Sequence, residues 1–251
     1  MEAAELYYPQ IQARAGGYSL DQGIEIEVCS ARDSYFDWAK IRFTEQFQPE
    51  VSLSRKDPAA VFLGYDGVLS RVFTGYVAKP YNSADSTNEV SLKDDMLLLE
   101  ETVINDTFLS ATPQELISFF LAKAGVSNMR LSPKNFPRRK VLPIRRQNAV
   151  QAIETVNAAW GLKLPFFFSD GVFYWGEKPE QEKVYTFQYG VNILRLERRG
   201  GVWDLETVSV PFVKHSHKIN IIHPRVSGER VVSKVLFSTN DSGFIRTHIY
   251  F

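Results

Sequence analysis

Three of the four histidines stand close together, as His215, His217 and His223. On a strand, residues two apart share a face, so His215 and His217 would point the same way. Two imidazoles with a third nearby are the beginning of a zinc or nickel site. No cysteine or carboxylate pattern completes it, and the spacing matches no named zinc motif. A solvated strand face is the expected account, and no metal ligand is assigned. The carboxylates Asp94, Asp95, Glu100 and Glu101 flank the apolar run Met96–Leu99. Paired carboxylates can hydrolyse glycosides, but pairs that bracket a buried run read as a solvated helix or strand end, and nothing separates their pKa values. Cys29 is the single cysteine. Strand alternation sets it beside Glu25 and Glu27, whose charge raises a thiol pKa, the wrong direction for a nucleophile. G-x-S-x-G and Walker-type glycine loops are absent. No catalytic, cofactor-binding or metal-binding residue is therefore assigned, no cofactor is expected, and the chain does not read as an enzyme.

Two features suit binding instead. The basic run Arg138, Arg139, Lys140, Arg145 and Arg146 could meet a nucleic acid or an acidic protein. Without interleaved aromatics it reads as a solvated loop or a protein contact. The aromatics Phe166–Phe168, Phe173, Tyr174 and Trp175 could form a sugar or base platform, though a hairpin core against two helices explains them as well.

Composition narrows the class. The chain has 251 residues, 44% hydrophobic and 23% charged, which is ordinary for a globular protein. Lys plus Arg and Asp plus Glu are 29 each, so the net charge is zero. A dedicated nucleic-acid binder is usually basic, while balanced charge suits a component of an assembly. One cysteine excludes a disulfide framework. The first ten residues lack a basic segment followed by an apolar run, so no secretory signal is expected. No stretch approaches the ~18 apolar residues of a membrane span. Synthesis in a reducing cytoplasm and no membrane insertion are the expectations.

The elements that would position these residues begin with alternation at Ile24, Ile26 and Val28, and again at Ile41 and Phe43, which marks half-buried strands. Ala60–Tyr65 and Leu69–Ala78 are joined by Asp66-Gly67, a tight-hairpin signal, and a short strand starts at Val90. Together these predict a small antiparallel barrel or sandwich. The period then changes. Thr112-Pro113-Gln114-Glu115 is a capping box with proline at the first helical position. The stripe Leu116, Phe119, Phe120 and Lys123 follows, and Gly125 stops the helix. A connection over Ser132–Arg146 leads to a second helix with Val150, Ile153, Val156 and Trp160 on one face and Gly161 at its end. Phe166–Phe168 and Val172–Trp175 form a hairpin around Ser169-Asp170-Gly171. Strands return at Trp203–Val213, Lys218–Ile222, Val231–Ser238 and Phe244–Phe251, the last two joined by a hairpin at Thr239–Gly243. The fold class is mainly β with an α+β insertion. An N-terminal arm and first barrel occupy 1–104, a middle α+β domain 105–182, and a second barrel or closing strands 183–251.

This order of elements resembles that of bacteriophage tail baseplate hub proteins of the late-control-protein-D type. The run Val61-Phe62-Leu63-Gly64-Tyr65-Asp66-Gly67, followed by Val72-Phe73-Thr74-Gly75-Tyr76-Val77, is similar to the first-barrel hairpin of that family. The Thr112–Ala124 helix, Ala149–Ile153, the hairpin Phe166–Trp175, Tyr189–Leu194 and His223–Gly228 follow in the family's order. Many members continue into a peptidase or lysozyme-like domain, which is not expected here. The resemblance implies a homotrimer at the tip of a virion tail, whose two barrels per chain meet a sixfold tail tube or distal tail protein above. Below, the trimer would meet a threefold spike or fibre-bearing tip protein. It would enclose a channel for the tape-measure protein and for phage DNA in transit. A genome must pass without sticking, so the lumen is expected to be acidic and small-polar, with Arg138–Arg146 facing outward. The alternative is a cell-wall-binding or peptidoglycan-hydrolysing tail protein acting through the middle domain.

Overall fold

The computed structural model describes residues 9–44, 50–84, 88–239 and 244–251. The chain divides into two compact units, Met1–Asp94 with Pro179–Phe251, and Asp95–Lys178.

The first unit opens with β1 (Pro9–Ala15), β2 (Tyr18–Leu20), β3 (Ile24–Ala31), β4 (Trp38–Phe43), β5 (Ser52–Leu53), β6 (Pro58–Tyr65), β7 (Val68–Val77), β8 (Tyr81–Asn82) and β9 (Glu89–Lys93). In β3 the expected alternation holds: Ile26 and Val28 are buried while Glu25 is exposed. The β6–β7 hairpin turns at Asp66 and Gly67 with φ of 50° and 82°, the left-handed pair that a two-residue turn between twisted strands requires. Gly75 has a different reason. A methyl there would run into the Lys93 carbonyl oxygen and lie 2.6 Å from Asp94 Cα, so only glycine lets β9 cross so close.

The second unit contains α1 (Met96–Glu101), β10 (Val103–Ala111), α2 (Pro113–Lys123), β11 (Met129–Leu131), β12 (Arg139–Asn148), α3 (Ala149–Ala159), β13 (Phe166–Ser169) and β14 (Val172–Trp175). The capping box at Thr112 and Glu115 forms, and the chain turns out of α2 at Gly125 with φ of 81°. A second box, not anticipated, pairs Asn148 with Gln151 at the start of α3. Leu116 and Phe120 of α2 are buried, but Phe119 is exposed. Val150, Ile153 and Val156 of α3 are buried, and the Trp160 indole N–H donates to the Pro137 carbonyl at 2.8 Å. The connection expected at Ser132–Arg146 is largely a strand. Residues of β12 pair antiparallel with β10 in a two-stranded ribbon, its inward side closed by buried Leu142 and Ile144. The aromatic hairpin forms as expected, with β11 parallel to β14.

The chain then returns to the first unit through β15 (Tyr185–Gln188), β16 (Arg195–Arg199), β17 (Val202–Val208), β18 (Lys218–His223), β19 (Val226–Val231), β20 (Lys234–Thr239) and β21 (Ile245–Tyr250). Residues 240–243 of the expected hairpin lie outside the described residues. The fold is mainly β with an α+β insertion. The two β segments do not keep separate sheets. One antiparallel sheet runs β16-β17-β21-β20-β3-β4-β9-β7-β6-β1-β2, with the junction at β20–β3. Strands β15, β18 and β19 form a second sheet. A single apolar core includes Val28, Ile41 and Leu63 from the first segment and Leu205, Val235 and Ile249 from the last. Compactness divides the chain at Asp94/Asp95 and Lys178/Pro179. Among the described residues no helix is long and apolar enough to cross a membrane.

Candidate assembly surfaces

Antiparallel pairing and two-residue alternation place polar side chains from several strands on one face of the long sheet. Glu206 of β17 receives Arg195 of β16 at 3.0 Å and Arg246 of β21 at 3.8 Å. Next to it, Asp204 meets His248 Nδ1 at 3.0 Å. Lys234 of β20 sits over the Tyr250 ring, 3.8 Å from its centroid. Further along, Glu89 of β9 holds both Lys40 at 3.2 Å and Arg42 at 2.8 Å from β4. Arg42 and hydrogen bonds from it and Lys40 hold the Glu89 carboxyl below the usual range despite partial burial. Burial first, then the charge of Asp204, pushes the Tyr250 phenol up to about 12. A pocket of about 420 Å³ opens between Arg199, Asp204, Lys234 and Tyr250. Half-exposed pairs of this kind contribute at most about 1 kcal/mol each to stability. Their greater effect is on which surfaces can lie against this one.

Cys29 lies in the same sheet. Its thiol is pushed up to about 11, mainly by burial, with the charges of Asp37 and Glu27 adding to it and Lys234 opposing. Burial therefore outweighs the neighbouring carboxylates that the sequence brought to notice, and the thiol stays protonated. Asp94 is buried rather than a solvated end. Its carboxylate accepts the Asp37 N–H at 2.9 Å, and its own N–H donates to the Asp37 carbonyl at 3.1 Å, tying the end of β9 to the loop before β4.

His215 and His217 do not occupy a solvated strand face, whereas His223 ends strand β18 half-exposed. His215 and His217 lie in the turn before β18, and both are buried. Ser216, with φ of 66°, bends the chain there. Backbone bonds from Ser216 N–H to the Val232 carbonyl and from Val232 N–H to the His217 carbonyl hold the turn in place. A turn hydrogen-bonded at its backbone can be folded inward with its peptide groups satisfied, which strand alternation alone does not reveal. Burial, followed by the charges of His217, Arg32 and Lys214, lowers the His215 pKa to about 4. His223 is apart from them in bonding. Its Nδ1 accepts the Arg225 N–H at 3.0 Å and its ring meets Tyr189 edge-on. Among the described residues, no three His, Cys, Asp or Glu side chains group to hold a metal ion.

In the second unit the aromatic hairpin is core. Phe167, Phe168, Phe173 and Trp175 are buried, and the Trp175 indole donates to Asn157 Oδ1 at 2.9 Å. The basic run is exposed along β12. Arg138 is engaged by Glu115 and by the Ser110 carbonyl. Arg139 donates to the Ala159 carbonyl at the end of α3 and lies over Trp160.

No family model matches the sequence, and no curated protein matches it. Solved structures do. A 43 kDa tail protein of prophage MuSo2 from Shewanella oneidensis superposes with a TM-score of 0.76 at 11% identity, covering 97% of this chain and 98% of that one. A tail protein from Neisseria meningitidis gives 0.71 at 13% identity, covering 97% and 96%. The E. coli c3393 protein, a type VI secretion component described as similar to bacteriophage T4 tail proteins, gives 0.70 at 12% identity, covering 95% of this chain and 75% of that one. At these identities the likeness is one of fold, and over nearly its whole length this chain has the fold of phage tail proteins and of a type VI secretion component.

Proposed function

We propose that the chain is a structural, non-enzymatic hub of a phage or phage-derived tail tip. It acts as a homotrimer that joins a sixfold tube to a threefold spike or fibre-bearing protein. The observation that carries this reading is the match to a phage tail protein over 97% of this chain and 98% of the other. A likeness confined to a common barrel would not include the insertion between the β segments. The continuous sheet adds a physical argument. Three chains, each bringing a first and a last β segment, offer six segments to a sixfold tube, and fusion through β20–β3 holds each pair in fixed register. In this reading the polar sheet face lines the channel. Its cations share carboxylates, Arg195 and Arg246 on Glu206 and Lys40 and Arg42 on Glu89. Asp204, Glu25 and Glu27 add further acid on the same face, which also bears Lys234. Each unmatched cation would add salt-sensitive affinity for passing phosphate. Neighbours would be the tube or distal tail protein, the tip protein and the tape-measure protein. Tails assembled without this chain should have tubes that lack a tip complex. Complete tips in its absence would exclude the hub role.

A further inference from the structure

The β10–β12 ribbon carries a surface that the hub reading leaves unused. Alternation puts Arg139, Val141, Pro143 and Arg145 on the face opposite buried Leu142 and Ile144. Leu109 of β10 stands directly across from Val141 and Thr107 across from Pro143. Leu109 is 70% exposed and Val141 51%, so an apolar cross-strand pair lies open to water where a solvated face would carry polar side chains.

The charge around that pair is one-sided. Between Arg138 and Arg146 the sequence has five cations and no acid. Arg138 is matched by Glu115, and Asp106, the one acid of β10, is matched by Lys123 at 3.5 Å. Arg139 is directed to a backbone carbonyl. Among the described residues, Lys140, Arg145 and Arg146 have no ion-pair partner, and all three are exposed. In a chain of zero net charge, this ribbon holds a local excess of positive charge around an apolar centre.

We propose that the outward face of this ribbon docks an extended, acidic segment of a partner protein. Apolar side chains of that segment would cover Leu109 and Val141, and its carboxylates would meet Arg145 and Arg146, which both stand opposite Asn105 on that face. An extended segment fits because a ribbon presents neighbours at strand spacing, so alternate residues of an opposing strand meet it in step. A nucleic acid fits less well. The centre of the face is aliphatic, and the indole of Trp160 lies beneath Arg139 and donates to Pro137, whereas base binding relies on open aromatic rings along the groove. The inference does not depend on the trimer.

The test uses the full-length chain and three probes: a ten-residue peptide alternating Glu and Val, a ten-residue polyglutamate, and a single-stranded DNA oligonucleotide. The alternating peptide should bind most tightly. Leu109→Ser with Val141→Ser should weaken it tenfold or more, and so should Arg145→Glu with Arg146→Glu, while Arg145→Lys with Arg146→Lys retains most of the binding. All these positions are exposed, so circular dichroism should match the unsubstituted chain. Equal binding of polyglutamate, tighter binding of the DNA, or indifference to the Leu109 and Val141 changes would overturn the proposal. So would a failure of the alternating peptide to bind at all.

Discussion

The Ile26 backbone N–H donates to the Thr239 hydroxyl at 3.1 Å, across 213 positions of sequence. Around that bond Val28 faces Phe237 and Cys29 faces Leu236. The first and last β segments are thereby one sheet with one core. Phe237 is 3% exposed, so Phe237→Ala should cost about 3–5 kcal/mol in a urea titration, the usual range for truncating a buried phenylalanine. Hydrogen exchange should show β3, β4, β20 and β21 losing protection together. Loss confined to β20 and β21 would mean that the two segments are independent.

Two glycines separate backbone conformation from space. Gly67 has φ of 82° with nothing near its would-be Cβ, whereas Gly75 meets the backbone of Lys93 and Asp94. Gly67→Ala should cost about 1–2 kcal/mol through left-handed strain alone. Gly75→Ala must push β9 away and should cost clearly more, measured as the difference in denaturation midpoints. Equal effects would contradict the close crossing.

His215 links stability to pH. Its folded pKa is about 4 against an ordinary 6.5, so the unfolded chain takes up the proton first. Above pH 6.5 neither state is protonated and the group is neutral to stability. From 6.5 down to about 4 the native state should lose stability progressively, by about 3 kcal/mol in all. Below that both states are protonated and the loss stops growing. His215→Asn should lower stability at pH 7, because the site is buried, and also flatten this slope. An unchanged slope would mean that another group titrates there.

What the sequence made legible follows from how local each signal is. Turns and caps are read from a few neighbours, and the Asp66-Gly67 hairpin and the Thr112 capping box formed where expected. The β20–β3 pairing depends on residues far apart in sequence, so no local signal announced that the first and last β segments share a sheet. Strand β12 was hidden because Pro143 and the flanking arginines read as loop. It also carries a bulge, with Arg145 and Arg146 against Asn105, and its partner β10 has a mostly exposed pattern, which blurs alternation. His215 and His217 were placed on a solvated strand by spacing alone, and a turn with positive φ at Ser216 buries them instead. The exposed Leu109–Val141 pair needed the β10–β12 register before either residue drew notice.

Removing the α2 capping box tests whether the second unit depends on its own local signals. Thr112→Ala deletes the side-chain acceptor for the Glu115 N–H and should cost about 1 kcal/mol. The loss should appear as earlier exchange of α2 amides, with β3 and β20 unchanged. Equal loosening in β3 and β20 would show the two units unfolding as one.

The central claim is that three copies of this chain form the ring between tube and tip. A reconstruction of the assembled tail tip, with the chain located in it, counts them directly. The hub account expects three copies about the tail axis, with the polar face bearing Glu206 and Glu89 toward the channel and Arg145 and Arg146 away from it. A ring of six copies, a single copy, or Arg145 and Arg146 pointing into the channel without acidic partners would contradict it.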